Sequence, residues 1–238
     1  TVVDSLSAIK TLVFEQKRLS MKELLEALDC NFEGKEDIQA LLQGAPSFGN
    51  GDLEVDTLGR MLEKSALDFT ARYAGKNGVQ PLEIRTTSVT ANVPHGKFVG
   101  ATPNGRKAWM PLSDGSSPSH GSDRNGPTAV LLSQYQSTNW NAANRACRLL
   151  NMKMAPKTVE GEEGTKKLVD LIRAFINLRV WHLQMNIINR ETLVAAQKDP
   201  QKYKNLVVRI AGYSAYFVDL SPDLQNDLID RTEQENCD

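Results

Sequence analysis

Cysteine is scarce in this chain of 238 residues, with only Cys30, Cys147 and Cys237 present. They are odd in number, far apart and never in Cys-x-x-Cys spacing, which argues against a zinc ribbon or a dithiol pair and leaves free thiols as the expectation. The three histidines, His95, His120 and His182, share no i, i+4 spacing, so no histidine metal site is expected either. An excess of charge is also missing: 28 basic side chains face 29 acidic ones. That balance gives no footprint for nucleic acid and no polybasic membrane patch. No apolar run approaches the roughly 20 residues that span a bilayer, and Thr1-Val2-Val3-Asp4-Ser5 lacks a basic n-region and a cleavage site. The expectation is a cytoplasmic protein with neither nucleic acid nor membrane as a partner.

A hydrophobic content of 40% is enough for a buried core. Up to about Leu42 the chain reads as two amphipathic helices: Ile9, Leu12 and Val13 recur at helical spacing, and Ser20 with Glu23 forms a capping box ahead of Leu24, Leu25 and Leu28. A loop from Ala45 to Asp52 precedes a helix predicted over Val55 to Tyr73, and Ile84 to Val93 suits a strand. Eleven of the 26 glycines and prolines then fall between Pro94 and Pro127. So long an irregular stretch is usually ordered and functional. Beyond it, Thr165 to Leu178 has a helical stripe, and Trp181 to Ile187 alternates strictly, with His182, Gln184 and Asn186 on its polar face. Asn189 caps a helix over Glu191 to Gln197, Leu206 to Ile210 suits a strand, Ala211-Gly212-Tyr213 a tight turn, and Ser221 with Pro222 opens a last helix. Helices alternating with strands predict an α/β fold.

Several local patterns have plain readings. Gly100 to Arg106 has the glycine spacing of a phosphate loop, but Arg106 and Lys107 stand where that motif needs Lys and then Ser or Thr. Ser119, His120 and Asp123 lie close in sequence, without a nucleophile elbow, and read better as a turn held by side-chain hydrogen bonds. Cys147 reads as a buried helical thiol and Cys237 as an exposed tail residue. Gly212 on its own asks only for a turn with positive φ.

The neighbours of Gly212 change that reading. Arg209-Ile210-Ala211-Gly212-Tyr213-Ser214-Ala215 resembles the radical-loop signature of the glycyl radical enzymes, the pyruvate formate-lyase-like family. The resemblance continues upstream through Glu191-Thr192-Leu193 and Lys202-Tyr203-Lys204-Asn205-Leu206, and downstream through Asp219-Leu220-Ser221 and Arg231-Thr232-Glu233. Gly100 to Arg106, Asp114 to Gly121 and Asn125 to Ala129 resemble another patterned region of the same family, so the likeness covers nearly the whole chain.

The resemblance implies the C-terminal part of a ten-stranded α/β barrel ending in a glycyl radical loop domain. Residues 1–110 would be the end of the barrel-forming domain, made of helices and one strand, and residues 111–238 the glycine radical domain. It implies no bound cofactor. Instead, Gly212 would store a backbone radical installed by a radical S-adenosylmethionine activating enzyme, with Arg209, Ala211, Tyr213 and Ser214 shaping the loop. Glycine suits that task because loss of a Cα hydrogen leaves a flat centre that a Cβ would crowd. Gln184 and Asn186 are the candidates for the substrate side. The family passes its radical to a cysteine in a Gly-Cys loop, and none of the three cysteines has that setting. The sequence therefore reads as a fragment whose partners are the activating enzyme, the remainder of its large subunit, a second copy in a homodimer and small accessory subunits.

Within the family, Gly105 to Leu112, the segment Gln134 to Arg148 and Trp181-His182-Leu183-Gln184 look nearest to alkylsuccinate synthase, which adds a hydrocarbon to fumarate. The alternatives are a diol dehydratase or an arylacetate decarboxylase. From another class, a non-catalytic spare radical module docking onto another subunit would keep the radical loop and lack the cysteine. A purely structural protein would retain neither the loop nor so many ordered motifs.

Overall fold

The computed structural model describes residues 1–73, 76, 82–87 and 89–235, so the reading of Cys237 lies outside the described residues. The first part is helical. Helix α1 (Val2–Ala8) runs into a wider π-helical stretch, Ile9–Glu15, and α2 (Met21–Asp29), α3 (Glu36–Gln43) and α4 (Leu53–Ala71) follow. The Ser20–Glu23 capping box is present in both directions, with Ser20 N–H donating to Glu23 at 2.8 Å and Glu23 N–H donating to Ser20 at 3.2 Å. Ala8, Leu12, Leu24, Ala27, Phe32 and Leu42 make the core of this layer. One helix more than expected fits into the stretch before residue 44, because Asn31 and Phe32 both take positive φ and turn the chain sharply between α2 and α3. Helix α4 starts two residues before the expected Val55, where Asp52 accepts hydrogen bonds from the Glu54 and Val55 amides.

The strand expected over Ile84 to Val93 is short: β1 (Ile84–Thr86) ends early, and α5 (Asn92–Gly96) takes the remainder. From residue 97 to 125 the chain is ordered loop, as its glycine and proline content predicted. The loop packs closely at Gly115, where a Cβ would meet the Leu149 carbonyl oxygen at 2.6 Å. After α6 (Gly126–Gln136) come β2 (Arg145–Arg148) and β3 (Leu150–Met154), so Cys147 lies half-buried on a strand and not on a helix. Helix α7 (Gly161–Asn177), β4 (Leu183–Ile187), α8 (Arg190–Lys198), β5 (Val207–Arg209), β6 (Ser214–Tyr216), α9 (Pro222–Asp230) and β7 (Glu233–Gln234) complete the chain.

The fold is α/β, as expected. Strand β3 lies between β4 and β7 and pairs in parallel with both, while β1 pairs in parallel with β2 and β5 with β6 antiparallel. All five residues of β3 are buried, including Asn151 and Lys153. Lys153 donates to the Ile229 carbonyl at 2.9 Å, and burial pulls its pKa down to about 8. No helix among the described residues is long and apolar enough to cross a membrane.

Segments distant in sequence meet at one buried cation. Arg231 donates to Asp114 and to Asp227, each at 2.9 Å, and all three side chains are under one-tenth exposed. Asn151 and Ser117 donate to Asp114, and Asn92 donates to Asp227 at 2.9 Å. Breaking a buried pair by removing one partner strands the charge that remains. Arg231→Ala is therefore expected to lower unfolding free energy by about 3–5 kcal/mol in urea denaturation. Arg231→Lys should recover part of that, since an ammonium cannot fork between two carboxylates.

Asp56 on α4 is fully buried, neither oxygen has a hydrogen-bond partner among the described residues, and burial raises its pKa to about 7, which the nearby Ser133 hydroxyl only partly offsets. Its folded pKa thus lies above its unfolded value of about 3.9. The native state holds the extra proton in between, so this side chain costs stability progressively as pH rises through that window. Asp56→Asn is expected to stabilise the protein at pH 8 and to make little difference near pH 4, read from urea midpoints at the two pH values.

Candidate functional site: the hairpin tip at Gly212

Strands β5 and β6 pair Val207 with Tyr216, Val208 with Ala215 and Arg209 with Ser214. The Ile210 amide then donates to the Tyr213 carbonyl at 2.9 Å, leaving Ala211 and Gly212 as the two central residues of the turn. Gly212 has φ of +92°, a left-handed conformation that glycine adopts without strain. The hairpin's inner face is apolar. Val208, Ile210, Ala211 and Phe217 are buried with Leu193 and Ala196 of α8 and with Leu228 and Ile229 of α9. The tip points the other way: Gly212, Tyr213 and Ser214 are exposed, and a Cβ built on Gly212 would meet nothing within 4 Å. Among the described residues, then, backbone geometry and not crowding selects glycine at 212.

The tip is held from below by β4. Gln184, only 5% exposed, accepts the Gly212 N–H on Oε1 at 2.7 Å. Asn186, two residues on and on the same strand face, makes a paired contact with Arg209: its Nδ2 donates to the Arg209 carbonyl at 2.7 Å and its Oδ1 accepts the Arg209 N–H at 2.8 Å. One side-chain amide thus takes the place of a neighbouring strand. Across the hairpin the Arg209 guanidinium donates to Ser214 Oγ at 3.0 Å. Arg231 adds a long contact of 3.4 Å to the Ile210 carbonyl, linking the loop to the buried ion cluster. Two polar atoms on this face of the β4 segment are buried without a partner among the described residues, Gln184 Nε2 and His182 Nδ1.

The predicted loop residues Arg209, Ala211, Gly212, Tyr213 and Ser214 are contiguous here, and the fold adds Gln184 and Asn186 from 20 and more positions upstream. In the sequence both read as candidates for the substrate side; here their hydrogen bonds go to the loop backbone. Sequence reading missed Arg231 and its carboxylates, because nothing in the spacing of Asp114, Asp227 and Arg231 announces a cluster. The other patterns have local tasks. Ser119 faces Asp4, His120 lies 3.5 Å from Asp227, and Asp123 accepts from Thr232 and Gln234, so the three form no triad. Burial lowers the His120 pKa, which keeps the imidazole neutral beside Arg231. Arg106 spends its guanidinium on the carbonyls of Val99, Gly100, Lys107 and Met110, closing its own loop.

Cys30 donates to backbone carbonyls at the end of α2, and Cys147 lies on β2; neither is hydrogen-bonded to the hairpin. A cavity of about 480 Å³ opens between the N-terminal helices and the 104–124 loop, and Gly212 is not among its lining residues. Among the described residues no cluster of His, Cys, Asp and Glu could hold a metal ion.

Two family models match: one described as glycine radical covers residues 112–218, and one described as pyruvate formate lyase-like covers residues 1–96. The isethionate sulfite-lyase of Oleidesulfovibrio alaskensis is 59% identical over 99% of this chain and 28% of its own length. Among solved structures, the hydroxyproline dehydratase of Clostridioides difficile, with trans-4-hydroxy-L-proline bound, aligns with a TM-score of 0.91 at 39% identity, over 99% of this chain and 29% of that one. The glycerol-bound B12-independent glycerol dehydratase of Clostridium butyricum aligns with a TM-score of 0.89 at 40% identity, over 98% and 29%. The chain thus spans under a third of the length of the relatives it matches.

If Asn186 acts as the missing strand for the hairpin, Asn186→Ala should expose the Arg209 amide. Its hydrogen-exchange protection is expected to fall about fivefold or more, the equivalent of one net hydrogen bond of about 1 kcal/mol, while protection in α7 stays unchanged.

Proposed function

The chain belongs to the glycyl radical enzymes of the pyruvate formate-lyase-like family, and from that premise we propose that Gly212 stores the radical of an enzyme that eliminates a leaving group from a small oxygenated substrate. The observation that carries the storage role is the turn itself. Gly212 stands at a position that only its backbone conformation reserves for glycine, with one Cα direction open to approach.

Loss of that hydrogen leaves an unpaired electron shared with the adjoining amide nitrogen and carbonyl, a delocalisation that the peptide bond's own resonance makes available. A radical S-adenosylmethionine activating enzyme would remove the hydrogen, and a cysteine other than Cys30 and Cys147 would receive the radical, since neither of these is hydrogen-bonded to the hairpin. The match extends through residues 1–96 as well as the radical region, which favours part of a working enzyme over a spare radical module.

The relatives reported above are a sulfite-lyase and dehydratases, and they favour elimination over the addition of a hydrocarbon to fumarate. Identity is 59% to the isethionate sulfite-lyase and 40% or less to the two dehydratase structures. Isethionate is therefore the first substrate we propose. Hydrogen removal from its hydroxyl-bearing carbon places an unpaired electron next to the carbon that holds the sulfonate. The C–S bond then breaks with its electron pair going to sulfite, the hydroxyl proton accompanies it, and a C=O bond forms. Return of the hydrogen to the carbon left behind yields acetaldehyde, so the balance is one isethionate to one acetaldehyde and one hydrogensulfite. A vicinal diol would follow the same course with water leaving, which is the second reading.

The test uses the full-length protein, anaerobically activated with its activating enzyme, S-adenosylmethionine and reductant. A glycine-centred electron paramagnetic resonance doublet is expected, absent in Gly212→Ala, together with sulfite release from isethionate. Exposure to air should abolish the doublet and cut the chain at Gly212. Dehydration of a diol without sulfite release would move the reading to the dehydratases. Fumarate adducts in place of both would overturn elimination, and no doublet with a competent activator would overturn the storage role.

A further inference from the structure

We propose that Gln184 is the positioning residue of the radical-bearing glycine, acting through the hydrogen bond it accepts from the Gly212 amide; this rests on the reading of Gly212 as the radical carrier. Strand β4 fixes where the side chain goes. Its register against β3 pairs Gln184 with the buried Asn151, and its neighbours Leu183 and Met185 pack with the apolar cluster around Leu150, Met152 and Met154, so the alternation of the strand turns Gln184 to the opposite face. The partner is an N–H, which settles that the carboxamide oxygen, and not its nitrogen, faces the loop.

A structural role alone accounts poorly for this arrangement. The hairpin is already joined across the turn by the Ile210 to Tyr213 hydrogen bond, so the Gly212 amide is not needed to hold it together. Burying the Gln184 carboxamide leaves its Nε2 without a partner among the described residues. An unsatisfied buried donor is a cost that a structure retains where the group serves another purpose. Asn186 next to it shows the contrast: both ends of its carboxamide are used on the Arg209 backbone.

The purpose follows from the geometry of the radical. Spin spreads furthest when the peptide planes on both sides of the flat carbon lie in its plane, which needs φ and ψ both near 180° or 0°. The resting φ of +92° is far from that, so one flanking plane must turn once the hydrogen has gone. Gln184 pins the plane on the amide side. The N–H points at a buried oxygen, and that direction fixes the 211–212 peptide, which leaves the adjustment to the Tyr213 side. The same hydrogen bond polarises the N–H and strengthens electron donation from nitrogen into the half-empty orbital.

The test is electron paramagnetic and electron-nuclear double resonance on the full-length, anaerobically activated protein labelled with ¹⁵N-glycine, comparing wild type, Gln184→Leu and Gln184→Glu. Wild type must first give the doublet; its absence would sink the radical-carrier reading itself. With the doublet present, Gln184→Leu is expected to alter the amide ¹⁵N and exchangeable-proton couplings and to shorten the radical's anaerobic half-life about fivefold, the equivalent of one lost hydrogen bond. Gln184→Glu keeps an acceptor and should preserve both, with couplings that follow the titration of the new carboxyl. Unchanged couplings and half-life in Gln184→Leu would overturn the proposal. Should that variant fail to accumulate, Gln184→Glu decides: couplings that move with pH, against pH-independent ones in wild type, support it, and couplings that ignore pH overturn it.

Discussion

Arg231 is the group on which the arrangement of the C-terminal half depends. One guanidinium under a tenth exposed joins Asp114 of the long loop, Asp227 of α9 and, more distantly, the Ile210 carbonyl beneath the hairpin tip. Two carboxylates and one fixed cation leave a net negative charge, which a dry interior tolerates only if other donors share it. Asn92, Asn151 and Ser117 supply them, and each comes from a different element: α5, β3 and the loop. The cluster thereby ties five separate stretches to one point. Planarity matters here, because a forked guanidinium meets two carboxylates at set angles where an ammonium would let them drift.

From that point the order of the hairpin follows. Burial of Val208, Ile210 and Phe217 against α8 and α9 gives the hairpin its adhesion but leaves its rotation about the strand axis loosely set. Directional contacts from β4 set it. Asn186 fixes the register at Arg209, and Gln184 fixes the turn at Gly212. The core thus supplies most of the free energy and the amides most of the precision, a division expected where burial is non-directional and hydrogen bonds are not.

Much of this was legible in the sequence. The alternation over Trp181 to Ile187 placed Gln184 and Asn186 on one face, the Ser20–Glu23 box and the Asn189 cap placed two helix starts, and the residues around Gly212 carried the family likeness. What stayed hidden was long-range or unpatterned. Strand β3 reads Leu-Asn-Met-Lys-Met, with polar residues at alternate positions that suggest solvent, yet Asn151 and Lys153 are buried because Asp114 and the Ile229 carbonyl meet them there. Gln184 and Asn186 read as substrate-side candidates because they face a polar side of their strand. Only the fold reveals that this side is occupied by the hairpin.

Strand β7, the third member of the β4-β3-β7 sheet, contains Glu233 and Gln234, and Arg231 precedes it by two positions. During synthesis Gly212 therefore follows Gln184 and Asn186 but precedes Arg231 and β7. A nascent chain that has reached Tyr216 has the loop sequence and its hairpin partner but neither the ion cluster nor the third strand. The loop's final shape is in this way a late event of translation, governed by contacts of long sequence separation, and a ribosome stalled between residues 217 and 230 would hold a chain whose glycine is present but not yet set in place.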